Sequence, residues 1–262
     1  MNTVRYHIRH RTAYFYAGRI DLCHSLAHLR PREDEGLEMT SHKIEVTPEP
    51  RFQRERRDYF GNTTNYFAIQ QSHELLDVVA TTTVTKADFT PPLPVAAVAW
   101  DKLRVPPNGK DSSGVRLLNY ILPTTACPRL AAAADFLKPS LIPGRDVMEL
   151  VNQVMGRIHR EFHYVPGATD TTTPLEKVLK QRQGVCQDFA HVMIAALRPL
   201  EIPVRYVSGY LETLPPPGQV KLQGADATHA WIEAFSPTTG WVGFDPTNNC
   251  LPGGQHIKIC HG

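Results

Sequence analysis

Apolar and polar residues alternate with a period of two through the first third of the chain. Val4, Tyr6, Ile8 and His10 alternate with Arg5, His7 and Arg9. Successive side chains of a strand point to opposite faces, so this pattern predicts half-buried strands. Lys43-Ile44-Glu45-Val46-Thr47 repeats it, and Asn65 to Ile69 and Leu76 to Thr85 continue it, the last rich in Val and Thr. Tyr59-Phe60-Gly61-Asn62 supplies turn chemistry between two of these runs. The basic stretch Arg51 to Arg57, interrupted by Phe52 and Glu55, reads as a solvated connection between strands. Short strands punctuated by turns predict a small all-β sandwich over residues 1–87.

Prolines then crowd positions 91, 92, 94, 106 and 107, which marks residues 88–110 as a linker. Beyond it the apolar period lengthens to that of helices, and residues 111–262 read as a second domain. Asp111 or Ser112 caps a first run holding Val115, Leu117, Leu118 and Tyr120. Pro128 sits in the first turn ahead of Leu130 to Leu137. Asp146 caps a run with Val147, Leu150, Val151, Val154 and Ile158 on one face. A short helix over Pro174 to Gln181 is closed by Gly184. The next helix, Cys186 to Arg198, is apolar nearly all round and ends at Pro199, so it belongs at the centre of a core. Strands return over Pro203 to Glu212, Thr228 to Phe235 and Gly240 to Phe244, which makes the fold class α+β. The loop Pro215 to Ala227 is a candidate flap.

Composition narrows the function classes. Hydrophobic residues are 42% and charged residues 21%, near the globular norm, and the net charge of +2 gives no electrostatic reason for nucleic acid or an anionic membrane. The five scattered cysteines, at 23, 127, 186, 250 and 260, do not form a disulfide framework; reduced thiols and a cytoplasmic location are expected. The N-terminus has no apolar stretch of signal-peptide length. Neither Cys-x-x-Cys nor His-Glu-x-x-His occurs, and no phosphate loop or dinucleotide fingerprint is present. No metal and no cofactor are expected.

What remains is nucleophile chemistry. Cys186 follows a glycine turn and opens a helix, where the positive end of the dipole favours thiolate over thiol and unpaired N–H groups surround the sulfur. Its own amide is a candidate oxyanion donor. His229 offers a base that could pair with the thiolate and protonate a leaving amine, and Asp245 a carboxylate that fixes the imidazole tautomer. Ser236 to Gly240 reads as a hairpin turn; centred on Thr238, it sets residue 229 opposite 247, so His229 and Asp245 share a face two positions apart. Taken singly, Cys186 could be a small core residue, His229 a core or edge histidine and Asp245 a turn former; the joint spacing is what points to catalysis. Asp188 in the first helical turn complements the dipole, and His191 is off the cysteine's face and structural. Gln187 could contact substrate or cap the helix. Tyr164 and Trp231 are candidate substrate contacts whose plainer reading is packing.

The runs Gly184 to His191, Pro203 to Tyr210, Thr228-His229-Ala230-Trp231 and Gly240 to Asn248 resemble the bacterial transglutaminase-like family, often described as cysteine proteases. Leu29-Arg30-Pro31-Arg32 and Asp58 to Asn62 resemble that family's N-terminal β domain, so the likeness covers nearly the whole chain. It implies a papain-like core, a catalytic triad on Cys186, His229 and Asp245, and attack on a peptide or protein amide through a thioester. Water as acceptor gives proteolysis or deamidation; an amine gives crosslinking. Gln187 stands where animal transglutaminases carry Trp, and no calcium loop is seen, which favours hydrolysis. Two alternatives stay open: a non-catalytic binding module, and an acyltransferase with a thioester donor. Family members usually continue past the stretch resembling His256 to Ile259, so a closing strand is expected to be missing or replaced.

Overall fold

The computed structural model describes residues 3–33, 36–89, 91–104, 117–212, 218 and 228–262. Most of the helix expected after Asp111, and the expected flap apart from Gly218, lie outside the described residues. The chain divides into two units, residues 1–89 with 257–261, and residues 90–256 with Gly262.

The first unit is built from β1 (Thr3–Ile20), β2 (Cys23–Ala27), β3 (Leu37–Thr47), β4 (Phe52–Arg57), β5 (Thr63–Ile69) and β6 (His73–Ala87). They form two antiparallel three-stranded sheets, ordered β1-β6-β3 and β2-β5-β4. Burial alternates along the first half of β1, as its sequence pattern predicts. Phe67 and Ile69 from one sheet meet Leu76 and Val78 from the other, with Tyr16, Leu29, Ile44 and Val46 packed around them. The basic stretch expected to be a connection is instead the edge strand β4. All six of its residues are exposed, so neither face leaves an apolar imprint for alternation to reveal, and charge on an edge discourages further strand pairing. In the turn Asp58 to Asn62, Gly61 takes φ +78°. Asn62 bonds back to Asp58 through N–H and Nδ2, both at 2.8 Å, and brackets His261 with Nδ2 and Oδ1 at 2.8 and 3.0 Å.

The second unit holds α1 (Ala131–Leu137), α2 (Val147–Glu161), β7 (His163–Tyr164), α3 (Leu175–Gln181), β8 (Gln183–Gly184), α4 (Cys186–Leu197), β9 (Val204–Leu211), β10 (Thr228–Ser236) and β11 (Gly240–Phe244); β12 (His256–His261) is the last strand, and its residues 257–261 belong to the first unit. Asp146 caps α2 as predicted, its Oδ1 accepting the Met148 N–H at 2.8 Å. Helix α3 ends differently from the expectation: Arg182, at φ +56°, takes the left-handed closing position, and Gly184 belongs to the next element. Ten of the twelve residues of α4 are buried. At about 1.5–3 kcal/mol for each large apolar side chain, Phe189, Met193, Ile194 and Leu197 make it the principal anchor of this unit's core. The other helices and the sheet β11-β10-β9 surround it, with Ala230, Ile232 and Ala234 of β10 in the same cluster. The β10–β11 hairpin pairs Ser236 with Gly240 and Ile232 with Phe244, the register centred on Thr238 that the turn predicts.

Candidate active site

Cys186 begins α4 because three local devices fix the chain just before it. The parallel pair β7–β8 aligns Tyr164 with Gly184, and the Val165 N–H bonds the Gly184 carbonyl at 2.9 Å. Asp188 then folds back, and its Oδ2 accepts the Val185 N–H at 2.8 Å and the Thr169 hydroxyl at 2.6 Å. This is the returning half of a capping box. The fold-back brings the carboxylate so near the backbone that a Cβ on Gly184 would lie 2.5 Å from Asp188 Oδ2. The glycine is therefore required by close approach. The bond to Val185 and the hydroxyl contact give Asp188 a structural role, with its charge also complementing the helix start. The Cys186 side chain is left at the surface of the core, 8% exposed.

The register of the hairpin places His229 and Asp245 on one face, and the two meet: Nε2 lies 2.9 Å from Oδ2. Asp245 is fully buried. Its Oδ1 accepts the Thr247 and Asn248 N–H groups at 3.0 and 3.2 Å, and its Oδ2 also accepts from Asn248 Nδ2 at 2.8 Å and from His256 Nε2 at 3.1 Å. The chain turns sharply to make these bonds, closing Asp245 against Cys250 in an isolated bridge with Asn249 at φ +50°. Burial alone would raise the carboxyl, but the bonds and charges of His229 and His256 outweigh it and hold Asp245 well below the usual carboxylate range.

An ionised carboxylate only accepts, so each histidine presents a protonated Nε2 to it. For His256 the other ring nitrogen, Nδ1, lies 3.4 Å from the Gly253 backbone nitrogen. For His229, burial pushes the imidazole down, yet the Asp245 bond, the Cys186 sulfur and the charges of both raise it to about 9. The thiol thus sits close enough to influence the ring, while Nδ1 makes no hydrogen bond of normal geometry. Burial moves three of the other thiols away from reactivity, Cys127 and Cys260 up to about 11 and Cys250, also beside the Asp245 charge, up to about 12.

The remaining candidates fall into place by burial. Trp231, two positions along β10, is 1% exposed, stacks beside His229 at 6.1 Å and meets His256 edge-on at 5.3 Å. It is a wall behind the two histidines. Tyr164 is half-buried with its ring edge-on to Phe189 at 6.4 Å, and Gln187 is half-buried beside the cysteine. His191 packs against Tyr206 at 5.2 Å. His256 is the member that sequence reasoning passed over. No spacing announces it, since it reaches Asp245 only through the turns at residues 245–253.

The ligand atoms of His229, Asp245 and His256 lie within 4.8 Å of one another, a grouping that could hold a metal ion. With both Nε2 atoms donating protons to the carboxylate, neither lone pair is available to a cation in this arrangement.

Residues 6–85 match the bacterial transglutaminase-like N-terminal region, and residues 140–246 match the transglutaminase-like superfamily. An uncharacterized protein of Mycobacterium tuberculosis is 33% identical over 99% of this chain and 84% of its own length. A Pseudomonas aeruginosa protein named protein-glutamine gamma-glutamyltransferase is 32% identical over 52% of this chain and 21% of its own. Among solved structures, a "putative cysteine protease" from Cytophaga hutchinsonii superposes with a TM-score of 0.73 at 22% identity, covering 100% of this chain and 82% of that one.

Proposed function

The chain belongs to the transglutaminase-like superfamily, and on that premise we propose that it is a cysteine enzyme that cleaves amide bonds through a thioester, with Cys186 as nucleophile, His229 as base and acid, and Asp245 as the group that orients the imidazole. One observation carries this reading: a buried imidazole held by a buried carboxylate on one side, with the Cys186 sulfur influencing it on the other. A module that only binds would have no use for a histidine raised to about 9 beside a helix-start thiol.

In the proposed cycle the imidazole takes the thiol proton on Nδ1, and the sulfur attacks the amide carbon. The Cys186 N–H, which as the first residue of the helix has no intrahelical acceptor, is placed to meet the oxyanion. Protonation of the nitrogen by His229 Nδ1–H breaks the C–N bond, the amine departs, and the acyl group remains on sulfur as a thioester. Water, deprotonated by His229, then releases the acid and restores the thiol. Each half-reaction passes one proton through His229 Nδ1, first from the thiol to the leaving amine and then from water to the departing sulfur.

Gln187 in place of a bulky indole beside the sulfur supports water as acceptor. The likeness to a protein named as a glutamyltransferase supports the second reading, an amine as acceptor. The two separate in one experiment. The protein is incubated with glutamine-containing peptides, with and without a primary amine, and products are weighed by mass spectrometry with Cys186→Ala as control. Deamidated or cleaved peptide supports hydrolysis, and amine adducts support transfer. Absence of both, with no acyl-enzyme in the intact mass, would overturn the enzymatic reading.

A further inference from the structure

Strand β1 is a long edge. Its 18 residues pair with β6 on one side, and among the described residues no strand pairs with the other. A row of backbone N–H and C=O groups is thereby left open to a further chain. The two faces of this edge differ. Val4, Tyr6 and Ile8 stand opposite Lys86, Val84 and Thr82 of β6. Those three are buried, whereas Val4, Tyr6 and Ile8 are only half-buried, with no strand beside them on the open side. On the opposite face Arg5, His7, Arg9 and Arg11 are all exposed, about 6.6–6.8 Å apart along the strand. Arg11 is held by Asp77 at 2.9 and 3.1 Å, and His7 Nδ1 lies 3.2 Å from the Thr83 hydroxyl. Arg5 and Arg9 have no ion-pair or hydrogen-bond partner among the described residues. The other acids of this face, Glu38 and Glu45, lie on β3, beyond the full width of β6, and Glu45 pairs with Lys43 at 2.7 Å. Glu74 pairs with Arg19, and Asp88 lies past the last pair of the ladder, Thr3 with Ala87.

We propose that β1 receives an extended segment of a partner protein in which acidic and apolar residues alternate. The segment's backbone extends the open ladder. Its carboxylates stand beside Arg5 and Arg9, and its apolar side chains cover Val4, Tyr6 and Ile8. Successive side chains of a strand point to opposite faces, so alternation satisfies both rows at once. A second copy of this chain is a poorer occupant, because antiparallel pairing of β1 with itself sets basic residues opposite basic residues. The edge strand β4 differs from β1: all six of its residues are exposed, and no half-buried apolar row accompanies its charges. This surface is independent of the Cys186 chemistry.

The test titrates the full chain with acetyl-Glu-Val-Glu-Val-Glu-Val-Glu-amide by calorimetry and reads β1 by amide hydrogen exchange. Two companion peptides run beside it, one with Lys in place of every Glu and one with the same residues in blocks, the glutamates first and the valines after. Saturable binding of the alternating peptide is expected, with β1 amides exchanging at least tenfold more slowly at saturation. Both companions should bind at least tenfold more weakly. The Arg5→Gln/Arg9→Gln double variant, at two exposed positions, should bind the alternating peptide at least fivefold more weakly with an unchanged melting temperature. No saturable binding, equal binding by the block peptide, binding without slower exchange in β1, or a double variant that binds as the wild type does would each overturn the proposal. A dimer whose β1 amides are protected without peptide would assign the edge to a second copy and overturn it too. Cys186→Ala should bind the alternating peptide normally, so failure here leaves the amide-cleavage reading untouched.

Discussion

His256 donates from Nε2 to the same oxygen of Asp245 that His229 bonds, at 3.1 Å against 2.9 Å. Asp245 therefore serves two imidazoles, and only one of them is beside the thiol. Removing the second donor would concentrate the carboxylate's pull on His229 and loosen the ring that Trp231 also touches. We expect His256→Phe to lower turnover by roughly 10- to 100-fold, since a hydrogen bond to a charged group contributes about 1.5–3 kcal/mol. The alkaline limit of turnover should move upward, because His229 becomes a stronger base and keeps the proton it gives to the leaving amine to higher pH. His256→Gln keeps an N–H at similar reach and should recover most of the loss. Equal damage from Phe and Gln would mean that His256 acts by shape alone.

Gly184 gives a prediction of opposite character, since it touches no substrate. Replacing glycine by alanine often stabilises a protein by restricting its unfolded chain. Here the new Cβ would sit 2.5 Å from Asp188 Oδ2. The carboxylate must leave, and with it the bond to the Val185 N–H that starts the helix at Cys186. Loss of such a cap costs about 1 kcal/mol. Gly184→Ala should lower the midpoint of urea unfolding accordingly and slow Cys186 alkylation at the same time. Slower alkylation with an unchanged midpoint would place the effect on the thiol alone.

Each departure from the sequence reading has a physical cause. The His229–Asp245 bond was legible because a hairpin of defined centre sets register, and register sets faces. The capping of α2 by Asp146 was legible because a cap is a local interaction. Strand β4 was not, because a strand solvated on both faces carries no period of two. His256 was not, because its contact depends on where the chain runs after Asp245 turns back on Cys250, a path with no repeating pattern. Gly184 was recognised as important for the wrong reason: it reads as a helix terminator, whereas Arg182 terminates α3 and the glycine makes room for Asp188.

Thiol selectivity follows from the surroundings of each sulfur. Cys127, Cys250 and Cys260 are raised to about 11, 12 and 11 and should resist iodoacetamide at neutral pH. Cys186 should be labelled first by peptide mapping after a short exposure, and His229→Ala should slow it by at least tenfold. Uniform labelling of the cysteines, or a rate at Cys186 unaffected by His229→Ala, would separate the sulfur from its supposed partner.

The buried pair also fixes how stability depends on pH. His229 titrates higher in the folded chain than its ordinary value of 6.5, at about 9. Its contribution is therefore complete below 6.5 and is lost as pH rises from there through about 9. Asp245 titrates below its ordinary value of 3.8, so its contribution is complete above that value and is lost as pH falls further. The two windows overlap between about 4 and 6.5, where the pair stabilises most. Asp245→Asn removes the charge that holds the imidazolium but leaves the side chain's shape. The gap in melting temperature between wild type and Asp245→Asn should be widest near pH 6 and shrink toward pH 9. A gap that stays constant across that range would show that the histidine is neutral in the folded protein, and the ion pair assigned to it would have to be withdrawn.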